Sequence, residues 1–436
     1  MYPNLYYAFK DLFNIDLPFL KIINTFGFFV AIAFLFGAWA LVVELKRKQT
    51  QGLLLYTKEK RIVGAPATAL ELLLNFFLGF IFGYKIIGAF ITKEALADPQ
   101  SFILSAQGNV PAGIILGLIA AGLKWAEKNK TKLAKPEERT VRIWPHDRVG
   151  DMIVIAAVVG FLGAKIFDNL EHWDSFVKDP LGELLAFRGL TFYGGLICAT
   201  IAITWYAIKH KITVIHLADC FAPAMMLAYA VGRIGCHMAG DGDWGILNSA
   251  YISTADGHVA AATAQQFTDA VAANHTYLAA EFNGINNVQH LNVTAPTWLP
   301  QWLVAYNYPH NVNNAGMHIA GDTSAYNHVL PISVFPTAFY EVVTCLILFF
   351  VLWMLRKRFK VAGYMAALYL VLNGLERFTI EKIRVNSKYS FWGIHPTQAE
   401  IISFCLILAG IALLIFSYKN RYRWGVVKQP PVTETV

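Results

Sequence analysis

Residues 216–245 read HLADCFAPAMMLAYAVGRIGCHMAGDGDWG. The stretch 216–236 is dominated by apolar side chains and, at about 1.5 Å per helical residue, is long enough to cross a hydrocarbon layer of about 30 Å. Arg233 falls in its last turn, and a glycine-rich turn follows. A guanidinium at the end of such a span is expensive in lipid, so it is expected to face the protein interior or an aqueous cavity.

The rest of the chain has the same character. Of its 436 residues, 56% are hydrophobic and only 15% charged, against about 25% charged in soluble domains. The fold class is therefore an all-α integral membrane protein, and the net charge of +7 reads as a topology signal rather than a nucleic-acid footprint. Nine spans are expected, near 24–44, 68–91, 110–125, 149–168, 190–208, 216–236, 337–355, 362–380 and 397–417. The connection after the first span carries Lys46, Arg47, Lys48, Lys58, Lys60 and Arg61, and eight Lys or Arg fall between 124 and 148. The same side receives Lys209 and Lys211, then Arg356, Lys357, Arg358 and Lys360, and finally Lys419, Arg421 and Arg423. Residues 236–335 contain no Lys or Arg. The positive-inside rule then puts the N-terminus and the long excursion 246–330 outside and the C-terminus inside. Three parts are expected: a membrane portion 1–245, the excursion 246–330, and a second membrane portion with a short tail, 331–436.

The opening residues lack the basic start and small-residue cleavage site of a removable signal peptide, so the first span is expected to stay as an anchor. Cys198, Cys220, Cys236, Cys345 and Cys405 are singly spaced in or beside spans and suggest neither disulfides nor a zinc site. One internal repeat is visible, joining 68–130 to 149–211 at an offset of about 80 residues. Gly83 and Lys85 match Gly163 and Lys165, Asp98-Pro99 matches Asp179-Pro180, and Gly108 and Gly113 match Gly189 and Gly194. The first copy lacks the aromatic and arginine content of FRGLTFYGG (187–195), so the second is the copy expected to work.

Charges inside spans collect at the outer level. Arg233 ends the sixth span, Lys165 the fourth, and Arg188 with Tyr193 opens the fifth. In NGLERFTIEKIR (373–384), Arg377, Glu381 and Arg384 are spaced i, i+4, i+7 and share one helix face. Glu341 follows FPTAFY (335–340) at the start of the seventh span. Each charge alone has a structural explanation, since arginines snorkel and Arg–Glu pairs staple helices. As a set, cations around glycine-rich backbone favour an anionic ligand from the outer leaflet, a phospholipid headgroup whose phosphate arginines can grip bidentately. Gly232 and Gly235 are expected to let neighbouring helices approach Arg233.

Taken together, GLTFYGGLI (189–197), GRIG (232–235) with the turn ending in Trp244-Gly245, FPTAFYE (335–341) and RFTIEKIR (377–384) resemble the bacterial prolipoprotein diacylglyceryl transferases. The resemblance covers the first helix, 149–245 and 331–417. It implies transfer of the diacylglyceryl group of phosphatidylglycerol to the thiol of a lipobox cysteine in a prolipoprotein, with release of glycerol phosphate. It also implies a multi-pass protein of the bacterial inner membrane, surrounded by membrane lipids, whose site faces the outer leaflet and needs no cofactor or metal. By motif, the two essential arginines are Arg233 and Arg377, with Glu381 beside the second. Gly245 closes the signature, Asp241 or Asp243 stands for its carboxylate, and Arg384, Tyr340 and Glu341 line the lipid site. The chain departs from the pattern at Cys236 (commonly Asn), Tyr193 (a histidine proposed to act in catalysis) and Phe26 (a tyrosine). Tyr193 is assigned first to orientation and second to base catalysis, because a phenol of pKa about 10 is a poor base.

Seven of the twelve histidines fall between His237 and His328, in and just before the excursion. No tight ligand spacing makes His310, His318, His328 and Asp322 a metal site. Two other readings use the same residues. A relative that has lost or redirected its chemistry would serve as a phospholipid-binding or partner module. A transporter is the third reading, and charges at the rim rather than the midplane argue against it.

Overall fold

A computed structural model describes residues 1–92, 102, 105, 107–185, 191–282, 284–386 and 395–422. Asp98, Pro99, Arg188, Gly189 and Arg423, singled out above, lie outside the described residues.

A short amphipathic helix α1 (Leu5–Phe13) precedes the long α2 (Thr25–Thr50), which starts where Asn24 accepts the Phe26 backbone N–H at 2.8 Å. After α2 the strand β1 (Thr57–Val63) leads into α3 (Ala69–Ile81), extended by further helical turns to Ile91, and α4 (Val110–Lys130) returns to β2 (Glu137–Ile143). The strands β1 and β2 pair antiparallel, so the α3–α4 hairpin hangs from a two-stranded ribbon. Arg148 ties the ribbon to the helices that follow: it donates to Glu59, to Thr57 Oγ1 at 3.2 Å and to Tyr206 Oη at 3.4 Å. Next come α5 (Val149–Glu171), α6 (Phe192–Lys209) and α7 (Val214–Ala239).

The excursion adds strands β3 (Leu247–Ser253) and β4 (Val259–Ala261), helices α8 (Ala264–Ala273) and α9 (His275–Glu281), and four short strands. These are β5 (His290–Leu291), β6 (Met317–His318), β7 (His328–Val329) and β8 (Ile332–Val334). The chain closes with α10 (Thr337–Leu355), α11 (Tyr364–Glu381) and α12 (Gln398–Lys419). In the excursion sheet β3 is flanked by β4 and β8, both antiparallel, and by β5, parallel. Strand content is confined to the connections. Lipid offers no partner for a sheet edge, whereas water or protein does.

Among the described residues, eight helices are long and apolar enough to cross a membrane, and the chain is a multi-pass membrane protein. The sequence reading counts nine. The helix that makes the difference is α11, which carries Glu376, Arg377 and Glu381 within eighteen residues and so lacks the uniform apolarity of the others.

The centre of the bundle is α7. Of its most apolar window 61% is buried by protein, against 33% or less for the other seven. It packs on α2, α10 and α11, while α11 pairs with α12, α5 with α6 and α3 with α4. Where α2 crosses α7, a Cβ on Gly235 would sit 2.9 Å from Phe29 Cβ and 3.3 Å from the Phe26 Cα. Gly232 has open space around it, so only one of the two glycines serves the close approach expected of both.

At the opposite end of the bundle, Lys48 of α2 meets Asp219 of α7 at 2.7 Å, and Asp219 also accepts the backbone N–H groups of Gly363 and Ala366 at 3.0 Å each. Glu44 pairs there with Arg47 at 2.7 Å and with Arg356 at 2.8 Å. These buried pairs clamp α2, α7, α10 and α11 at one end and leave their other ends to build a site.

Candidate functional site

The site forms where α7, α10 and α11 end beside the excursion. Its turn is set by sequence: Gly240 (φ +65°) and Gly242 (φ +101°) adopt the left-handed conformation that side chains resist, so the chain reverses directly after α7 and brings Asp243 back over Arg233. Gly245 is then pinned. Its N–H donates to Phe335 O at 2.9 Å, and an added Cβ would lie 2.7 Å from both Phe335 O and Ile383 O. Ile246 N–H donates to Ile383 O at 2.9 Å, so both ends of the excursion and the end of α11 are bonded to one another.

Glu341, one turn into α10, is the hub. Its side chain is wholly buried. Arg233 Nε lies 2.8 Å from Oε2 and Arg233 Nη2 donates to Oε1 at 3.3 Å. Arg377 Nη1 donates to Oε1 at 2.9 Å, Arg384 Nη1 stands 3.5 Å away, and Tyr229 Oη donates at 3.1 Å. A second carboxylate, Asp243, bridges the outward side, with Arg233 Nη1 on one oxygen and Arg384 Nη2 on the other. Glu381 completes the set, 3.2 Å from Arg377 Nη2 and accepting from Asn386 at 2.6 Å. Burial works to raise the Asp243 carboxyl, but Arg233 and Arg384 outweigh it and hold it well below the usual carboxylate range. Asp241 differs: burial, and then the charge of Asp243, push its carboxyl up.

The structure thus brings together Arg233, Arg377, Arg384, Glu341, Glu381, Asp241, Asp243 and Gly245. Tyr340 is adjacent but turned to the excursion, where its hydroxyl donates to Leu303 O. For Tyr193 the described contacts are local: its ring meets Phe192 edge-on at 5.7 Å, its helix α6 packs chiefly on α5, and no hydrogen bond among the described residues links it to the arginines. Sequence reasoning missed Tyr229, which lies one helical turn before Arg233 with its ring under that guanidinium at 5.4 Å. The spacing Tyr-x-x-x-Arg was the available signal. It also missed Glu376, buried to 5% exposure with neither carboxyl oxygen hydrogen-bonded among the described residues.

For metals, ligand atoms of Cys236, Asp241 and Asp243 fall within 4.8 Å of one another. Two guanidiniums already neutralise Asp243, which leaves little charge for a cation. In the excursion His310 pairs with Asp322 at 3.2 Å, and His318 faces His328 across β6 and β7 with ring centres 5.6 Å apart.

Residues 110–416 match the family model described as prolipoprotein diacylglyceryl transferase. The chain is similar to the phosphatidylglycerol–prolipoprotein diacylglyceryl transferase of Chlorobaculum tepidum, 25% identical over 291 residues, which cover 63% of this chain and 76% of that one. The enzyme of the same name from Finegoldia magna is 24% identical over 315 residues, covering 72% and 90%. That of Streptococcus sanguinis is 26% identical over 296 residues, covering 66% and 86%. With a family match spanning well over half of its length and an arginine–carboxylate site at the motifs that suggested it, the chain belongs to the prolipoprotein diacylglyceryl transferase family.

Proposed function

We infer that this protein is a transferase of lipoprotein biosynthesis that moves the diacylglyceryl group of phosphatidylglycerol to the cysteine thiol of a prolipoprotein. The observation that carries the reading at the level of residues is the gathering of Arg233, Arg377 and Arg384 around Glu341 in a chain of this family. Three guanidiniums fixed in advance need little reorganisation to receive a phosphodiester and the charge that develops as glycerol phosphate departs. Glu341 has no exposure and acts as the permanent organiser. Asp243, its side chain 31% exposed, is the ligand that a phosphate oxygen replaces between Arg233 and Arg384.

In this reading the site opens to the outer leaflet of a bacterial inner membrane, the excursion and N-terminus lie outside, and the lipobox segment reaches the arginines from that side. The Lys and Arg of the short connections near 46–61, 124–148, 209–211 and 356–360 support this orientation, and the absence of both over 236–335 agrees with it; α11 is then one of nine spans. We also read the α3–α4 and α5–α6 hairpins as two copies of one unit. Supporting this, Gly83 abuts Gly113 in the first hairpin as Gly163 abuts Gly194 in the second.

The test is complementation of a strain depleted of its own diacylglyceryl transferase, with labelled phosphatidylglycerol followed into a lipobox peptide in vitro. Growth and transfer support the reading, and loss of both with Arg233→Lys assigns the work to this site. One observation favours a second reading, a phospholipid-binding module without transfer: a tyrosine, Tyr193, occupies the family's histidine position. Binding of phosphatidylglycerol with no transfer by the native protein would select it.

A further inference from the structure

Transfer to a thiol leaves a proton to be placed, and most carboxylates of the site are committed. Glu341 is engaged by three arginines and Tyr229, Glu381 by Arg377 and Asn386, and Asp243 by Arg233 and Arg384. Tyr193 has no hydrogen bond to these arginines among the described residues, and Glu376 is buried within the bundle. Asp241 remains. It is half-buried in the turn after α7, and its Oδ1, itself shielded from solvent, has no hydrogen-bond partner among the described residues. Its surroundings already accommodate a thiol. Cys236 Sγ accepts from Arg233 Nη1 at 3.6 Å, and the ligand atoms of Cys236, Asp241 and Asp243 lie within 4.8 Å of one another. A sulfur atom therefore fits between a guanidinium and this carboxylate.

We propose that Asp241 is the general base that takes the proton from the acceptor cysteine thiol. The inference rests on the transferase reading above. In the step, the S–H proton passes to an Asp241 carboxylate oxygen as the sulfur electron pair forms a C–S bond to the glyceryl carbon. The C–O bond from that carbon to the phosphate breaks, and its electron pair leaves with glycerol phosphate, held by the arginines. The proton on Asp241 then passes to the departing phosphate or to water, and the carboxylate is restored. The titratable or charged groups facing Asp241 are Asp243, which disfavours its charge, Arg233, which favours it, the Cys236 thiol, and Tyr308 from the excursion. The N-terminal amine near this turn donates to Pro309 O at 2.8 Å.

The experiment measures transfer from phosphatidylglycerol in nanodiscs to a lipobox peptide between pH 5.5 and 9, alongside phosphatidylglycerol binding to the same nanodiscs. Asp241→Asn should lower kcat about 10²- to 10⁴-fold at pH 7 with lipid binding within about threefold of native. Its deficit should narrow as pH approaches the free thiol's pKa of about 8.5, where the nucleophile ionises unaided. Asp241→Glu should recover part of the rate and keep a base limb. An Asp241→Asn protein with near-native kcat, or one whose loss is independent of pH and accompanied by weak lipid binding, overturns the proposal in favour of a structural role. If Asp241→Asn does not insert, Asp241→Glu decides, and a profile without the base limb refutes the assignment. Native protein that binds lipid but transfers nothing at any pH removes the transferase reading itself, and this inference with it.

Discussion

Replacing Glu341 by Gln keeps the shape of the hub and removes its charge. In the native site three guanidiniums, Arg233, Arg377 and Arg384, face three carboxylates, Asp243, Glu341 and Glu381. The substitution leaves three positive charges against two, all largely withdrawn from water, with side-chain exposures of 13%, 16% and 8% for the arginines. The bonds lost are the 2.9 Å contact from Arg377, the 2.8 and 3.3 Å contacts from Arg233 and the 3.5 Å pair with Arg384. An amide oxygen recovers one or two of them in neutral form. Charge-assisted hydrogen bonds contribute about 1.5–3 kcal/mol each, and removing one partner of a buried pair costs about 3–5 kcal/mol. A loss of about 3–5 kcal/mol is therefore expected, seen as a fall on the order of 5–10 °C in the temperature at which detergent-solubilised protein stops eluting as a single species. The double variant Glu341→Gln with Arg384→Gln should recover part of that loss, because it removes the surplus charge, with a coupling of at least about 1 kcal/mol. An unchanged transition in Glu341→Gln, or strictly additive losses in the pair, would refute the picture of Glu341 as organiser.

Arg233→Lys and Arg377→Lys each retain charge but lose the planar fork, and transfer should drop about 10²- to 10³-fold while both proteins insert normally; near-native transfer in either would mean that arginine only pairs carboxylates. Gly245→Ala drives a methyl against two carbonyl oxygens at 2.7 Å and should lower stability by about 1–3 kcal/mol. Gly232→Ala, into open space, should leave the detergent melting transition in place. Cysteine labelling from either side of sealed vesicles should reach position 280 only from outside and position 135 only from inside; the reverse would invert the assigned topology.

The site was largely legible because its charges are rare in spans and periodic in sequence. Arg377, Glu381 and Arg384 at i, i+4 and i+7 had to share a face, and Arg233 and Glu341 had to sit at span ends. What pairs with what was not legible. Glu341 looked like one more lipid contact, yet the structure makes it the common partner of arginines 36, 43 and 108 residues away in sequence, a matter of helix packing. The clamp of Lys48 on Asp219 joins positions 171 residues apart, and nothing local announces it. Gly232 and Gly235 are indistinguishable as small residues in one motif, and only the crossing of α2 decides that Gly235 is needed. Tyr193 was placed by its motif alone, and its described contacts are with Phe192 and, through its helix, chiefly with α5. The hydrophobic run at 362–380 corresponds to α11, whose apolarity is broken by Glu376, Arg377 and Glu381, two of which pair within the site.

The excursion has a part in this electrostatic arrangement. Its first strand begins two residues after Gly245, its last strand ends two residues before Pro336, and both ends are bonded near Ile383 and Arg384. Tyr340 reaches up to Leu303, and Trp302 packs edge-on against Phe339 with ring centres 4.9 Å apart, so the start of α10 is covered by excursion side chains. That cover keeps the arginines in a medium less polarisable than water, where opposite charges attract more strongly and an unpaired one is penalised more heavily. The same cover forces the site to carry its own carboxylates when no lipid is bound. A phosphodiester brings a single negative charge, and of the carboxylates that directly pair the arginines only Asp243 is partly exposed and spans two of them. Exchange at Asp243 keeps both guanidiniums paired throughout, whereas exchange at Glu341 would strip three arginines at once. In the proposed lipid-binding reading, Asp243 is therefore the carboxylate that yields.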